Sequence, residues 1–259
     1  MSDSRSGGGR LRRFLAGLLR RRTADAPHPR PRPRQPVAVV GDIHGRADLL
    51  ERMLELLRRE APDALPLFAG DHVDRGPDSR AVLERLRALP RALCLRGNHE
   101  AMMLDFLDAP AEAGGRWLRN GGLATLESFG IALSAQPSHE ALMRAGEGLR
   151  AALGETERWL RALPLRWQSG DLLVCHAGPD PAAPVAAQPD EVFLWGHPRF
   201  LREPRHDGLW VAHGHWVQER AGIRSGRIAV DTGAWRSGCL SAALITPEGE
   251  LRFLEARLR

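Results

Sequence analysis

Five short apolar runs in this 259-residue chain each stop at glycine mixed with Asp, His or Asn. Three come early and in order. Pro36–Val40 runs into Gly41-Asp42-Ile43-His44-Gly45, and Leu65–Ala69 into Gly70-Asp71-His72-Val73-Asp74-Arg75-Gly76. Ala92–Leu95 runs into Arg96-Gly97-Asn98-His99-Glu100. The intervening segments have helical spacing: Leu49, Leu50, Met53, Leu54 and Leu57 share one face of 47–60, and 79–89 follows a plausible N-cap at Asp78 or Ser79. A β-α-β-α-β order means parallel strands with helical crossovers, whose carboxyl ends face a common crevice. Two later runs, 172–175 and 209–212, end in Cys175-His176-Ala177-Gly178 and His213-Gly214-His215. Singly, an Asp beside Gly is more often a turn residue, and a lone strand His more often a satisfied core imidazole. Five such clusters at five strand ends point instead to one site.

The remaining pattern sets the fold class. Residues 100–165 read mostly helical, broken by glycine turns at Gly114-Gly115 and Gly121-Gly122, and the chain then turns β-rich, with hairpin signals at Ser225-Gly226 and Pro247-Glu248-Gly249. A mixed half followed by a β-rich half predicts an α/β (α+β) fold: two packed mixed sheets flanked by helices, with a helical insert. The predicted division is a disordered Arg/Pro-rich tail at 1–35 and one catalytic domain at 36–259. There is no internal repeat.

Charge separates the tail from the body. Residues 1–35 hold ten Arg and two Asp, a net of +8, so the remaining chain carries −3 of the overall +5. A mildly acidic body argues against broad binding to a phosphate backbone, and no stable nucleic-acid partner is expected. All 37 basic residues are Arg, which with the Ala, Gly and Pro richness reads as codon bias. Within the tail, Leu11–Arg22 has the spacing of a short basic amphipathic helix, which suits weak membrane-surface or partner contact; a disordered tail and an organelle transit peptide are the other readings. Cys94, Cys175 and Cys239 show no paired spacing, which suits packed thiols in a reducing cytoplasm. No run is long enough to span a bilayer.

Carboxylates and an amide oxygen mixed with imidazoles suit Mn, Fe or Zn better than Ca or Mg. A carboxylate can bridge two such cations, and a pair acidifies water and neutralises phosphoryl charge. Arg75 adds a planar fork matched to phosphate.

These motifs resemble the phosphoprotein phosphatase family of calcineurin-like metallophosphoesterases, in its bacterial and phage branch. The resemblance runs from about Val37 to Ile245 and includes Trp117-Leu118-Arg119-Asn120-Gly121-Gly122, Thr125-Leu126 and Asp231-Thr232-Gly233-Ala234. It implies that fold and two divalent ions, with Mn²⁺ expected and Fe or Zn as substitutes. Asp42 and His44 would bind one ion, Asp71 would bridge, and Asn98, His176 and His215 would complete the second site. Arg75 would hold phosphate, while His99, oriented by Asp74, would protonate the leaving group after in-line attack by a bridging hydroxide. His213 is the less favoured ligand beside His215. Relatives place a second phosphate-binding Arg where this chain has His197, with Arg199 two residues on; either can take that role, or the contact is weak. His72 replaces a usual aromatic or aliphatic residue and either fills space or meets phosphate. Trp117, Trp159, Trp167 and Met102-Met103 read as core. The expected substrate is a serine/threonine phosphoprotein; the alternatives are diadenosine tetraphosphate hydrolysis and, more remotely, an inactive scaffold or nucleic-acid-binding protein.

Overall fold

The computed structural model describes residues 30–258. Strand β1 (Val37–Val40), helix α1 (Ala47–Glu60), β2 (Leu65–Phe68), α2 (Ser79–Arg87) and β3 (Leu93–Cys94) form the expected parallel unit. Val37 pairs with Leu65 and Leu67 with Leu93. β9 (Cys239–Ile245) returns antiparallel along β1, and β10 (Leu251–Arg257) closes the sheet in the order β10-β9-β1-β2-β3. The second sheet has the order β4-β5-β6-β8-β7, from Arg166–Ser169, Leu172–Cys175, Trp210–His213, Arg227–Ala229 and Gly222–Arg224 in that spatial order. Its central strands β5, β6 and β8 run parallel, with an antiparallel hairpin partner at each edge.

Alternation within β1 fixes the layering. Val37 and Val39 point toward the second sheet, meeting Leu172, Val174, Ala212 and Ile228, while Ala38 and Val40 pack on the other side against Leu49, Leu50 and Met53 of α1. A strand buried on both faces cannot alternate polar with apolar, so β1 reads as an unbroken apolar run. The far face of the second sheet is covered by Phe193 of helix α8 (Asp190–Trp195) and by Phe200. The expected two-sheet α/β arrangement is therefore present.

The insert comprises α3 (Asn98–Asp108), α4 (Pro110–Trp117), a π-type turn at Leu118–Gly122, α5 (Leu123–Ser128), α6 (His139–Leu153) and α7 (Glu155–Ala162). Gly121 kinks the chain at φ 107°, as expected. Gly114-Gly115 does not break it: both lie inside α4, where a Cβ on Gly114 would stand 2.7 Å from Leu142 Cδ2. That glycine permits close helix contact, a need that mimics a turn signal in sequence.

The tail boundary also moves. Pro31 and Pro33 are buried, and the backbone N–H groups of Arg32 and Arg34 donate to Asp171 Oδ1 (2.5 Å) and Ser169 Oγ (2.9 Å) at the β4–β5 turn. Residues 30–35 thus pack on the body, contrary to their placement in a disordered tail. Residues 1–29, with the Leu11–Arg22 segment, lie outside the described residues. All three cysteines are buried and free, Trp117 and Met102-Met103 are core residues, and Trp159 and Trp167 pack partly buried against the core. No helix among the described residues is long and apolar enough to cross a membrane.

Candidate active site

The five strand-end clusters converge, and the backbone is bent to bring them there. Seven non-glycine residues have positive φ among those described, and five belong to the predicted site: His44, Asp71, Asp74, Arg75 and His215. Each such residue costs about 1–3 kcal/mol, so strain is concentrated where side chains must be aimed. Glu100 holds two of these loops together. Its buried carboxylate accepts the N–H groups of Asp71 (2.9 Å), His72 (2.7 Å), Val73 (3.2 Å) and Gly97 (2.8 Å). Gly97 is required by proximity, because a Cβ there would lie 2.2 Å from Asp71 Oδ1.

Asp71 stands at the centre. One carboxylate oxygen is 3.6 Å from His44 Nε2 and 3.8 Å from His99 Nε2; the other is 3.3 Å from His176 Nε2. Donor atoms of His44, Asp71 and His99 all lie within 4.8 Å of one another, as do those of Asp71, His176 and His215. Asn98 Oδ1 sits 2.9 Å from both His176 Nε2 and His215 Nδ1, and the His215 N–H donates to Asp42. The tautomers suit ligation. His44 Nδ1 donates to Val73 O (2.8 Å) and His176 Nδ1 to Ala69 O (3.0 Å), which turns each Nε2 toward the centre. Burial opposes a charged His176, but the Asp71 carboxylate raises its pKa, so a cation bound there would displace its Nε2 proton. Burial drives the His44 pKa down to about 3 and that of His215 to about 4, so both are neutral donors.

The donor set also fits cations electrostatically. Burial, then the charges of Asp231 and Asp71, raise the Asp42 pKa well above the ordinary range. Crowded carboxylates deep in the protein are costly without a compensating positive charge. Mixed imidazole, carboxylate and amide donors match divalent transition ions.

A second constellation borders the first. His99 Nδ1 donates to Asp74 Oδ2 at 2.7 Å. Asp74 is held by Trp117 Nε1 (3.0 Å) and Thr125 Oγ1 (2.7 Å), while its own N–H donates to Ser79 Oγ and Thr125 Oγ1. Burial opposes a charged His99, but Asp71 and Asp74 outweigh it and raise its pKa. Arg75 is exposed at the surface of this group, with Nη1 3.1 Å from His44 Nε2 and Nη2 3.0 Å from His99 Nε2.

His197 and Arg199 gather on Asp180, in the loop that follows Gly196, where an added Cβ would meet the Trp216 ring packed on His215. Arg199 Nη2 donates to both oxygens of Asp180 (2.7 and 2.9 Å), and His197 Nε2 lies 3.8 Å from the same carboxylate. His72 is wholly buried with Nε2 on Leu95 O, and so fills space; His213 is buried against Phe200. The site roles of Glu100, Thr125 and Trp117 leave no local signature in the sequence, because the loop residues 71–74 they hold are distant along the chain.

The Calcineurin-like phosphoesterase family model matches residues 35–220. Serine/threonine-protein phosphatase 2 of Escherichia coli is 43% identical over 84 residues, 32% of this chain and 37% of that protein. The symmetrical bis(5'-nucleosyl)-tetraphosphatase of Legionella pneumophila is 35% identical over 55% of this chain and 44% of its own length. The match therefore spans less than half of each of these two relatives. Serine/threonine-protein phosphatase 2 of Salmonella typhimurium is 30% identical over 78% of this chain and 89% of that protein. A solved protein serine/threonine phosphatase from Saccharomyces cerevisiae shares the fold, with a TM-score of 0.56 at 19% identity, covering 88% of this chain and 81% of the yeast chain. With its candidate metal-binding groups gathered around Asp71 and the family model matching most of its length, the chain belongs to the calcineurin-like phosphoesterases, a family of metal-dependent hydrolases.

Proposed function

We propose that this phosphoesterase hydrolyses phosphomonoesters on proteins, chiefly at phosphoserine and phosphothreonine, with two divalent cations, Mn²⁺ foremost. The His99–Asp74 pair carries this reading. A serine or threonine alkoxide is a strongly basic leaving group that needs a proton as the P–O bond breaks. A nucleoside polyphosphate departs as a much weaker base and gains less from a proton donor.

Asp42, His44 and Asp71 would hold one cation, and Asp71, Asn98, His176 and His215 the other. Bound there, the cations supply Lewis acidity that lowers the pKa of water and neutralises phosphoryl charge. Arg75 takes two phosphoryl oxygens in its fork and orients the ester. His99 delivers its Nε2 proton to the leaving oxygen, while Asp74, fixed by Trp117 and Thr125, stabilises the imidazolium. Arg199, paired with Asp180 and Glu203, and His197 beside the same Asp180 carboxylate are the candidates for a second, weaker phosphate contact. Three buried free thiols suit a reducing compartment such as the cytoplasm.

The nucleotide reading rests on the similarity to the Legionella pneumophila tetraphosphatase. One comparison separates the two. Protein loaded with Mn²⁺ is assayed on a phosphoserine peptide, p-nitrophenyl phosphate and diadenosine tetraphosphate, with Asp42→Asn as control. The expected order puts the peptide above the dinucleotide; the reverse order overturns the phosphoprotein reading. Replacing His99 with Ala should slow the peptide by about 10²–10⁴-fold. The loss on p-nitrophenyl phosphate should be smaller, because nitrophenolate leaves without help. Equal losses on both would remove His99 from the acid role.

A further inference from the structure

Two guanidinium groups share one exposed indole at the mouth of the site. Trp235 lies in the short helix α9 (Ala234–Ser237), held between Gly233 and Gly238, and is 39% exposed. Arg75 Cζ is 5.3 Å from the ring centroid and Arg236 Cζ 6.0 Å. An aromatic face orients a cation without cancelling its charge, whereas a carboxylate would compete with an incoming anion. Among the described residues, no carboxylate lies within ion-pairing distance of either guanidinium. The third cation at this turn differs: Arg46 Nη1 donates to Ala234 O (3.0 Å), but its Nη2 is neutralised by Asp48 at 2.7 Å. Two like charges on one ring, neither with an ion-pair partner among the described residues, make a patch that an anion would relieve. Arg75 also faces His44 and His99, and on the phosphatase reading it is assigned to the scissile phosphate. Arg236 faces no such pair and is left for a different anionic group.

We propose that Arg75, Trp235 and Arg236 form an anion shelf on which Arg236 binds a second negative group of the substrate, an acidic side chain next to the phosphorylated residue. This rests on the phosphoprotein reading above and names the class of phosphopeptide that it takes. Trp235 acts as a positioning residue, keeping both guanidinium groups at the mouth.

The test compares KM for a phosphoserine peptide with acidic flanks against the same peptide with neutral flanks. The wild-type protein should favour the acidic peptide, and Arg236→Ala should raise its KM about fivefold to tenfold more than that of the neutral one. Arg236→Glu should reverse the preference. Arg144→Ala, which removes an exposed positive charge on α6, should keep the wild-type ratio and so separates the shelf from net charge. Trp235→Ala should raise KM for both peptides with a smaller change in kcat, and Trp235→Phe should restore most of the loss. The acidic preference should shrink as salt rises from roughly 50 to 500 mM. A wild-type ratio near one, or an unchanged ratio in Arg236→Ala, overturns the proposal. Diadenosine tetraphosphate forms a third arm: an Arg236→Ala defect confined to it assigns the shelf to a second phosphate and overturns the peptide proposal. Binding of a fluorescent acidic phosphopeptide, read by anisotropy, reports on the shelf even if no substrate turns over. Loss of turnover alone would then count against the phosphatase reading and not against the shelf.

Discussion

Glu100 touches no proposed ligand atom, yet it fixes where Asp71 can be. Its two oxygens each accept two backbone N–H groups, from residues 71–73 and from Gly97. Gln offers one oxygen and turns its NH₂ group toward donors that need an acceptor. Glu100→Gln should therefore cost about 3–5 kcal/mol, read as a lower urea midpoint with unchanged slope. A loss below 1 kcal/mol would mean that water or a shifted loop replaces those bonds. Cys94 gives a pH dependence of definite sign. Burial, aided by the Glu100 charge, pushes its thiol from an ordinary value of 9.0 up to about 12. The folded chain then retains a proton that the unfolded chain releases, so this contribution to stability falls as pH rises from 9 to 12. Cys94 should resist alkylation at pH 8 until the protein unfolds, and rapid native labelling would refute its burial. At this scale the motif residues were legible because each sits at a strand end beside glycine. Glu100, Thr125 and Asp231 gained roles only through partners distant in sequence.

The elements that sequence located best are those buried on both sides. β1, β2 and β5 read as continuous apolar runs, and α1 shows its buried stripe of Leu49, Leu50, Met53, Leu54 and Leu57. β4 carries no strand signal because it is a short edge strand, half exposed and carrying Arg and Gln, which is how edges resist further pairing. β7, also short and exposed, is legible only through its hairpin turn at Ser225-Gly226. The π-type turn at Leu118–Gly122 shows an element shaping the site from outside it. Gly121 adopts φ 107°, its carbonyl accepts the Arg75 N–H (3.2 Å), and an added Cβ would lie 2.8 Å from Arg75 N and Cγ. Gly121→Ala should destabilise the protein by about 1–3 kcal/mol and weaken inhibition by inorganic phosphate, because the methyl displaces Arg75. Unfolding midpoint and phosphate inhibition are measured together. Lost stability with unchanged phosphate inhibition would show that the turn supports the fold without aiming Arg75.

At the scale of the whole molecule, two sheets are packed so that the carboxyl ends of β1, β2, β3, β5 and β6 open on one crevice, which gathers buried carboxylates from distant parts of the chain. Asp42, Asp71 and Asp231 repel one another there, a cost that cations held between them would relieve. Stability and metal binding should therefore be linked. Mn²⁺ at a thousand times its dissociation constant should add about 4 kcal/mol, seen as a higher Tm that a chelator reverses. Asp42→Asn separates the two contributions. It relieves repulsion and can still accept the His215 N–H through its amide oxygen. Without metal the variant should be at least as stable as the wild type, and its gain on adding Mn²⁺ should be smaller. If it is less stable without metal and gains as much with it, Asp42 is a structural acceptor for the His215 loop, and the charge at the centre is balanced by the imidazoles alone.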